Sequence, residues 1–179
     1  MSIDFNTVKN SLYAWAVSVS PVGTPIIYWQ PNAPRPTIPY LTLFLQSVVS
    51  IGQDWASGAA DVAGVINQKG DRQFTLSIQA YGGDPLTLLE NIRTSLQKQS
   101  VLDTLRAGGI AFYTATTIND ITDLVDSKWE RRASLDVLFG IGQVYTDAPG
   151  FFDEAEITAV ILNDFGNVAY TSTFTVPES

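Results

Sequence analysis

The stretch KWERRASLDVLFGIGQVY, Lys128 to Tyr145, decides the fold. In an extended chain Trp129, Arg131, Ala133, Leu135, Val137, Phe139 and Ile141 share one face. Glu130, Arg132, Ser134, Asp136, Leu138 and Gly140 share the other, because strand side chains alternate direction at every residue. The first face is apolar from Ala133 onward, and the second opens polar and turns less so at Leu138. That pattern predicts a long antiparallel strand whose later part is covered on one side by helices, with its Trp-Glu-Arg-Arg start near an edge or rim.

Working outward, 179 residues suit one domain, or one domain with an appendage. The expected division is an α+β domain over residues 1–146 and an acidic β-hairpin extension over 147–179, part of the same sheet or docking to a neighbour. Hydrophobic content of 45% with mean hydropathy near zero marks a folded chain. The longest apolar run falls well short of the roughly 18 residues a membrane helix needs. No basic n-region precedes an apolar run at the N-terminus, so neither membrane insertion nor export is expected. With no cysteine and no histidine, disulfides, thiolate chemistry and a Ser-His-Asp or Cys-His site are excluded. The commonest general base and transition-metal ligand is missing too.

Ten basic against eighteen acidic residues give a net charge of −8. Residues 147–179 hold six acidic side chains and no basic one. Tight nucleic-acid binding draws on Lys and Arg that replace counterions, so this balance argues against it. It equally suits a channel wall that DNA passes without adhering.

Phe5, Val8, Leu12, Trp15, Ala16 and Val19 mark one face of an N-terminal core helix, capped by Ser2 or Asp4 and ended by Pro21 and Gly23. A short β-branched and aromatic run, Thr24–Gln30, leads into a surface arm with four prolines between Pro31 and Pro39. Tyr40–Gln53 reads as a strand and Asp54–Gly64 as a turn or mobile loop. Val65–Gln68, a turn at Lys69-Gly70-Asp71 and a strand at Arg72–Tyr81 read as a hairpin. Asp84 and Pro85 open a helix with the stripe Leu86, Leu89, Ile92 and Leu96. Ser100 and Asp103 resemble a capping box opening a short helix that ends at Gly108-Gly109. A strand over Gly109–Thr117 and an acidic link, Asn119–Ser127, return to Lys128. Glu154–Asn163 and Asn167–Val176, joined by a tight turn at Asp164-Phe165-Gly166, form the last hairpin. The expected class is α+β: a mostly antiparallel sheet, an N-terminal helix and two central helices on one face, and a C-terminal β-hairpin.

Asp120, Asp123, Asp126 and Glu130 offer the one carboxylate set for a Ca²⁺-binding module or a carboxylate-based hydrolase. Their spacing is not that of an EF-hand loop, and a solvated loop accounts for it. Gly82-Gly83 and Gly108-Gly109 lack the context of a phosphate loop and read as helix punctuation. Trp129, Glu130, Arg131 and Arg132 form a dense cluster that reads either as a solvated strand end or, with Arg131 aimed toward the apolar face, as an interface or buried pair of the composition found at protein interfaces. No catalytic residue, cofactor or metal site is expected.

The succession Leu76-Ser-Ile-Gln-Ala-Tyr-Gly82, an amphipathic helix, a short helix before Gly109-Ile110, Ile121-Thr-Asp-Leu124, Asp126, Trp129-Glu-Arg-Arg-Ala133 and Leu135-Asp-Val137 resembles the neck or tail terminator proteins of tailed bacteriophages, most of all the contractile-tailed kind. It spans Pro39 to Tyr145 and, more weakly, the N-terminal helix. The resemblance implies a non-catalytic α+β virion protein, assembled in the bacterial host cytoplasm. It would form a hexameric ring at the head-proximal end of the tail, stop tube growth, touch tube and sheath, and dock to the head connector. A head completion (stopper) protein or a tail tube subunit is the alternative within the same particle. A closing ring needs two different complementary patches on each subunit. Trp129, Glu130, Arg131 and Arg132 on one side, and the acidic hairpin with Glu154 and Glu156 on the other, are the expected pair.

Overall fold

Alternation from Ala133 onward does build the middle of a sheet. In a computed structural model, Ala133, Leu135, Val137 and Phe139 of β8 (Arg132–Asp147) are buried in the core. The structure describes residues 3–30, 32, 34–56, 58–61, 63–148, 154–162, 166 and 168–177. They fall into two units: Met1–Ala56 with Gln68–Tyr145, and Ser57–Asn67 with Thr146–Ser179.

In the larger unit the sheet runs β1 (Ile26–Tyr28), β2 (Tyr40–Ala56), β3 (Ile66–Tyr81), β8, β4 (Ile110–Ala115), with β5 (Asn119–Asp120) also paired to β8. β1 lies parallel to β2; β2–β3, β4–β8 and β5–β8 are antiparallel. Helices α1 (Phe5–Val19), α2 (Pro85–Ser95) and α3 (Gln99–Ala107) supply Leu12, Trp15, Leu89, Ile92 and Leu105 to the same core as Leu41, Leu43, Phe74, Leu76, Ile78 and Phe139. Phe139 stacks on Phe74 at 5.6 Å and meets Trp15 edge-on at 6.0 Å. The Trp15 indole N–H donates to Ser95 Oγ, which donates to the Ile92 carbonyl, so the buried polar atoms are satisfied. Tyr28 ties β1 to α1 by donating to the Lys9 carbonyl at 2.6 Å, and burial pushes its hydroxyl pKa up. Asp4 caps α1, as the sequence indicates.

Several local expectations give way to long-range pairing. Lys69-Gly70-Asp71 is no turn and Asp54–Ala56 no loop: β2 and β3 run on past both, with Ile51 opposite Asp71 and Trp55 opposite Lys69. Arg72 holds Asp54 through both guanidinium nitrogens, at 2.7 and 2.6 Å, and Tyr145 donates to the same carboxylate at 3.0 Å. A Cβ on Gly70 would collide with that Asp54 carboxylate, so the glycine serves close approach rather than a turn. Helix α3 starts before Ser100, after an N-cap at Lys98, and Asp103 accepts from the Gln99 amide and Arg106 instead of closing a capping box. On α2, Leu88 is buried and Leu86 is exposed, because the helix turns its Leu88–Leu89–Ile92 side to the core.

The Lys128–Tyr145 stretch is not one strand. It breaks at Arg131, whose carbonyl accepts from the Gly82 N–H at 2.8 Å. β7 (Lys128–Glu130) instead folds back on β6 (Asp123–Val125) as a separate antiparallel ribbon. The acidic link is therefore mostly strand, β5 and β6.

In the smaller unit, Asp61 orders its own turn by accepting from the Ala63 and Val65 N–H groups. β9 (Glu154–Leu162) and β10 (Val168–Pro177) pair antiparallel as the expected C-terminal hairpin. Of its tight turn, Gly166 has a left-handed φ of 77°, while Asp164 and Phe165 lie outside the described residues, as does Ser2.

Candidate assembly surface around Trp129

The β6–β7 ribbon closes through a two-residue loop, Asp126-Ser127, with φ of 48° and 67°. Positive φ at both central residues is the turn whose twist suits a tight hairpin, and it costs about 1–2 kcal/mol per L-residue. The turn places Leu124 directly opposite Trp129, and these side chains are 53% and 74% exposed. Beside them lies an open cleft of about 580 Å³, lined by Ile38, Gly82, Gly83, Val125, Trp129 and Arg131 among others. Ile38 is itself exposed. A large apolar aromatic held in water on a ribbon braced from below is the composition of an interface hot spot.

The bracing is ionic and aromatic. Glu130 accepts from Arg132 Nε at 2.8 Å and pairs with Arg35 at 3.4 Å. The Glu130 and Arg132 side chains are largely buried, and their hydrogen bond raises the Arg132 pKa further. The Arg132 guanidinium lies 5.3 Å from the Tyr81 ring centre, and Tyr81 stacks on Tyr40 at 4.5 Å. Burial, then the neighbouring Tyr81, pushes the Tyr40 hydroxyl pKa up. Beneath the cleft, Gly82 has φ of 71°, and a Cβ there would sit 2.8 Å from Ile38 Cβ. Gly82 and Gly83 thus do more than end a strand: they let the Ile38-Pro39 arm lie on the backbone.

Of the two readings of Arg131, the buried pair does not form. Arg131 does not enter the apolar face: its side chain is exposed, donates to the Gly83 carbonyl at 2.8 Å and lies 3.7 Å from Asp84. The largely covered pair is that of Arg132, which lies on the face opposite Ala133, between Glu130 and the Tyr81 ring. Asp84 is held below the usual carboxylate range mainly by the Thr87 hydroxyl, with Arg131 adding to it. The charges of Arg131 and Arg132 are thereby met within the subunit. Of the charged residues Lys128, Glu130, Arg131 and Arg132, only Lys128 lacks an ion pair among the described residues. Trp129 is thus the exposed apolar group, and Glu130 and Arg132 are its support.

Of the four carboxylates considered for metal or acid–base work, Asp123 and Glu130 stand opposite each other on β6–β7, and Glu130 is taken up by Arg132. Among the described residues no group of three or more Asp or Glu is placed to hold a metal ion. Asp120 accepts from the Thr122 N–H at 2.9 Å, and Thr122 lowers its pKa; Asp123 accepts from the Leu124 N–H at 2.8 Å; Glu130 is the arginine clamp. Glu154 and Glu156 lie on β9, with side chains outside the described residues. Sequence reading missed Leu124, Ile38, Arg35, Tyr40 and Tyr81. The available signals were the aromatics that open β2 and close β3, opposite each other at one end of the pair, and the doubled glycine after Tyr81.

Among solved structures, the chain shows similarity to the sheath/tube terminator of an extracellular contractile injection system, PVC, imaged by cryo-electron microscopy in the extended state. It is 10% identical, with a TM-score of 0.47, and the alignment covers 80% of this chain and 58% of that one. Among curated proteins no sequence matches. The family model described as phage neck terminator protein matches residues 6–164, nearly all of the larger unit and β9. On that match, the chain belongs to the phage neck terminator family.

Proposed function

We propose that this protein is a structural component of a contractile phage tail, closing as a ring of six at the head-proximal end of the tube. There it ends tube growth, meets tube and sheath, and joins the tail to the head connector, working by fit and without catalysis. Assembly in the host cytoplasm, with DNA passing through the ring unbound, belongs to the same reading. The family match over residues 6–164 carries it. Two features support it: the exposed Leu124–Trp129 pair on a braced ribbon, and a net charge of −8 that suits a passage for DNA. The ribbon serves as one of the two unlike patches that a closing head-to-tail contact needs.

The test is mass photometry with negative-stain imaging of the purified protein, alone and with tube subunit. Closed rings that cap tubes and halt their growth are expected. Open-ended polymers of this chain would make it a tube subunit, and capture by the connector without any effect on tubes would make it a stopper.

A further inference from the structure

Among the described residues β9 and β10 form a sheet of two strands, paired from Glu154 with Pro177 to Leu162 with Val168. Val160, Ile161, Leu162, Val168 and Tyr170 are all exposed, from 50% to 61%. Consecutive strand residues point to opposite faces, so Val160, Ile161 and Leu162 leave apolar surface on both. Two strands alone are marginal in water, and a third strand is the ordinary remedy. The outer edges offer the unpaired N–H and C=O groups that accept one.

Charge decides which strand fits. Residues 147–179 contain Asp147, Asp153, Glu154, Glu156, Asp164 and Glu178, with no Lys or Arg. Of these only Glu154 and Glu156 lie on the strands, both on β9, while β10 carries no charge. Two β9 edges set together would gather like charge, which discourages pairing between copies through β9. Adjacent basic residues occur in this chain only at Arg131-Arg132, and both are engaged by Asp84, Gly83 or Glu130. We infer that the hairpin is an acceptor for an extended strand of a different protein. That strand carries β-branched residues alternating with Lys or Arg and adds to the outer edge of β9, the strand that holds Glu154 and Glu156. The inference rests on the hairpin alone, so it stands or falls separately from the terminator reading.

The full-length protein is titrated at low salt with two fluorescent nonapeptides, KVTVKVTVK and EVTVEVTVE, followed by anisotropy and backbone hydrogen exchange. The lysine peptide should bind at least tenfold more tightly, and alternate amides along the outer edge of β9 should become protected. Glu154→Lys with Glu156→Lys should reverse the preference, while Glu90→Lys on α2 should leave it unchanged. Equal binding of the two peptides, or a preference without edge protection, overturns the inference. So does edge protection that grows with protein concentration in the absence of peptide, which would make a second copy the occupant. The wild-type comparison needs no variant, so a misfolded double substitution leaves the test intact.

Discussion

Replacing Trp129 by Ala separates a docking side chain from a structural one. Trp129 is 74% exposed, so its truncation removes little that folding buried. Surface substitutions of this kind fall within about 0.5 kcal/mol, or about 2 °C in Tm for a chain of this size. A fully covered tryptophan hides about 150–250 Å². Three quarters of that, at about 25 cal/mol per Å², makes about 3–5 kcal/mol available to a partner, before the costs of association. Losing about 2 kcal/mol of it at each subunit contact weakens that contact roughly thirtyfold. Thermal unfolding and mass photometry, read side by side, check both halves. Trp129→Ala should melt within about 2 °C of wild type and need a much higher concentration to form rings, and Leu124→Ala should do the same more weakly. Rings at unchanged concentration would remove Trp129 from the assembly surface. A large fall in Tm would make it a core residue and refute the argument from exposure.

Other outcomes follow from the bracing and the core. Gly82→Ala should cost more than Gly52→Ala, by denaturant unfolding. Both sit at left-handed φ, 71° and 69°, but only Gly82 has Ile38 in the way; the shared backbone term is about 1–2 kcal/mol. Phe139→Ala, fully buried among Phe74, Trp15 and Phe112, should destabilise by about 3–5 kcal/mol in the same assay. Arg72 holds the Asp54 carboxyl below its usual pKa, so the stability it contributes is complete above the ordinary carboxylate range and is lost as pH falls through the depressed value. The stability difference between wild type and Asp54→Asn, measured by urea unfolding, should therefore shrink between about pH 5 and about pH 2. A gap that widens on acidification would show that the Arg72 pairing is not its source.

Much of the fold is legible in one dimension because its signals are covalent and local. Side-chain direction repeats every two residues in a strand and every 3.6 in a helix, so the buried faces at Ala133–Phe139 and Val8–Ala16 appear directly in the order of residues. Asp84-Pro85 and Gly108-Gly109 mark helix ends for the same reason, since they act on their own turn of backbone. The lack of histidine and cysteine, and an acidic stretch after Tyr145, needed no structure either.

What only the tertiary structure decided is where those signals are overruled. Lys69-Gly70-Asp71 has turn chemistry, yet it lies in a strand because Asp54, Trp55 and Arg72 secure it from the neighbouring strand and from its own flank. Trp129 and Ala133 share a face on paper. In the molecule, a hydrogen bond from Gly82, forty-nine residues away, breaks the strand between them, sending one outward on a ribbon and the other into the core. That Glu130 also holds Arg35, and that Tyr81 covers Arg132, are likewise decided by residues far away in sequence. Periodicity belongs to each residue and its neighbours in sequence, whereas strand length, strand breaks and charge partners are settled by residues that meet only once the chain has closed on itself.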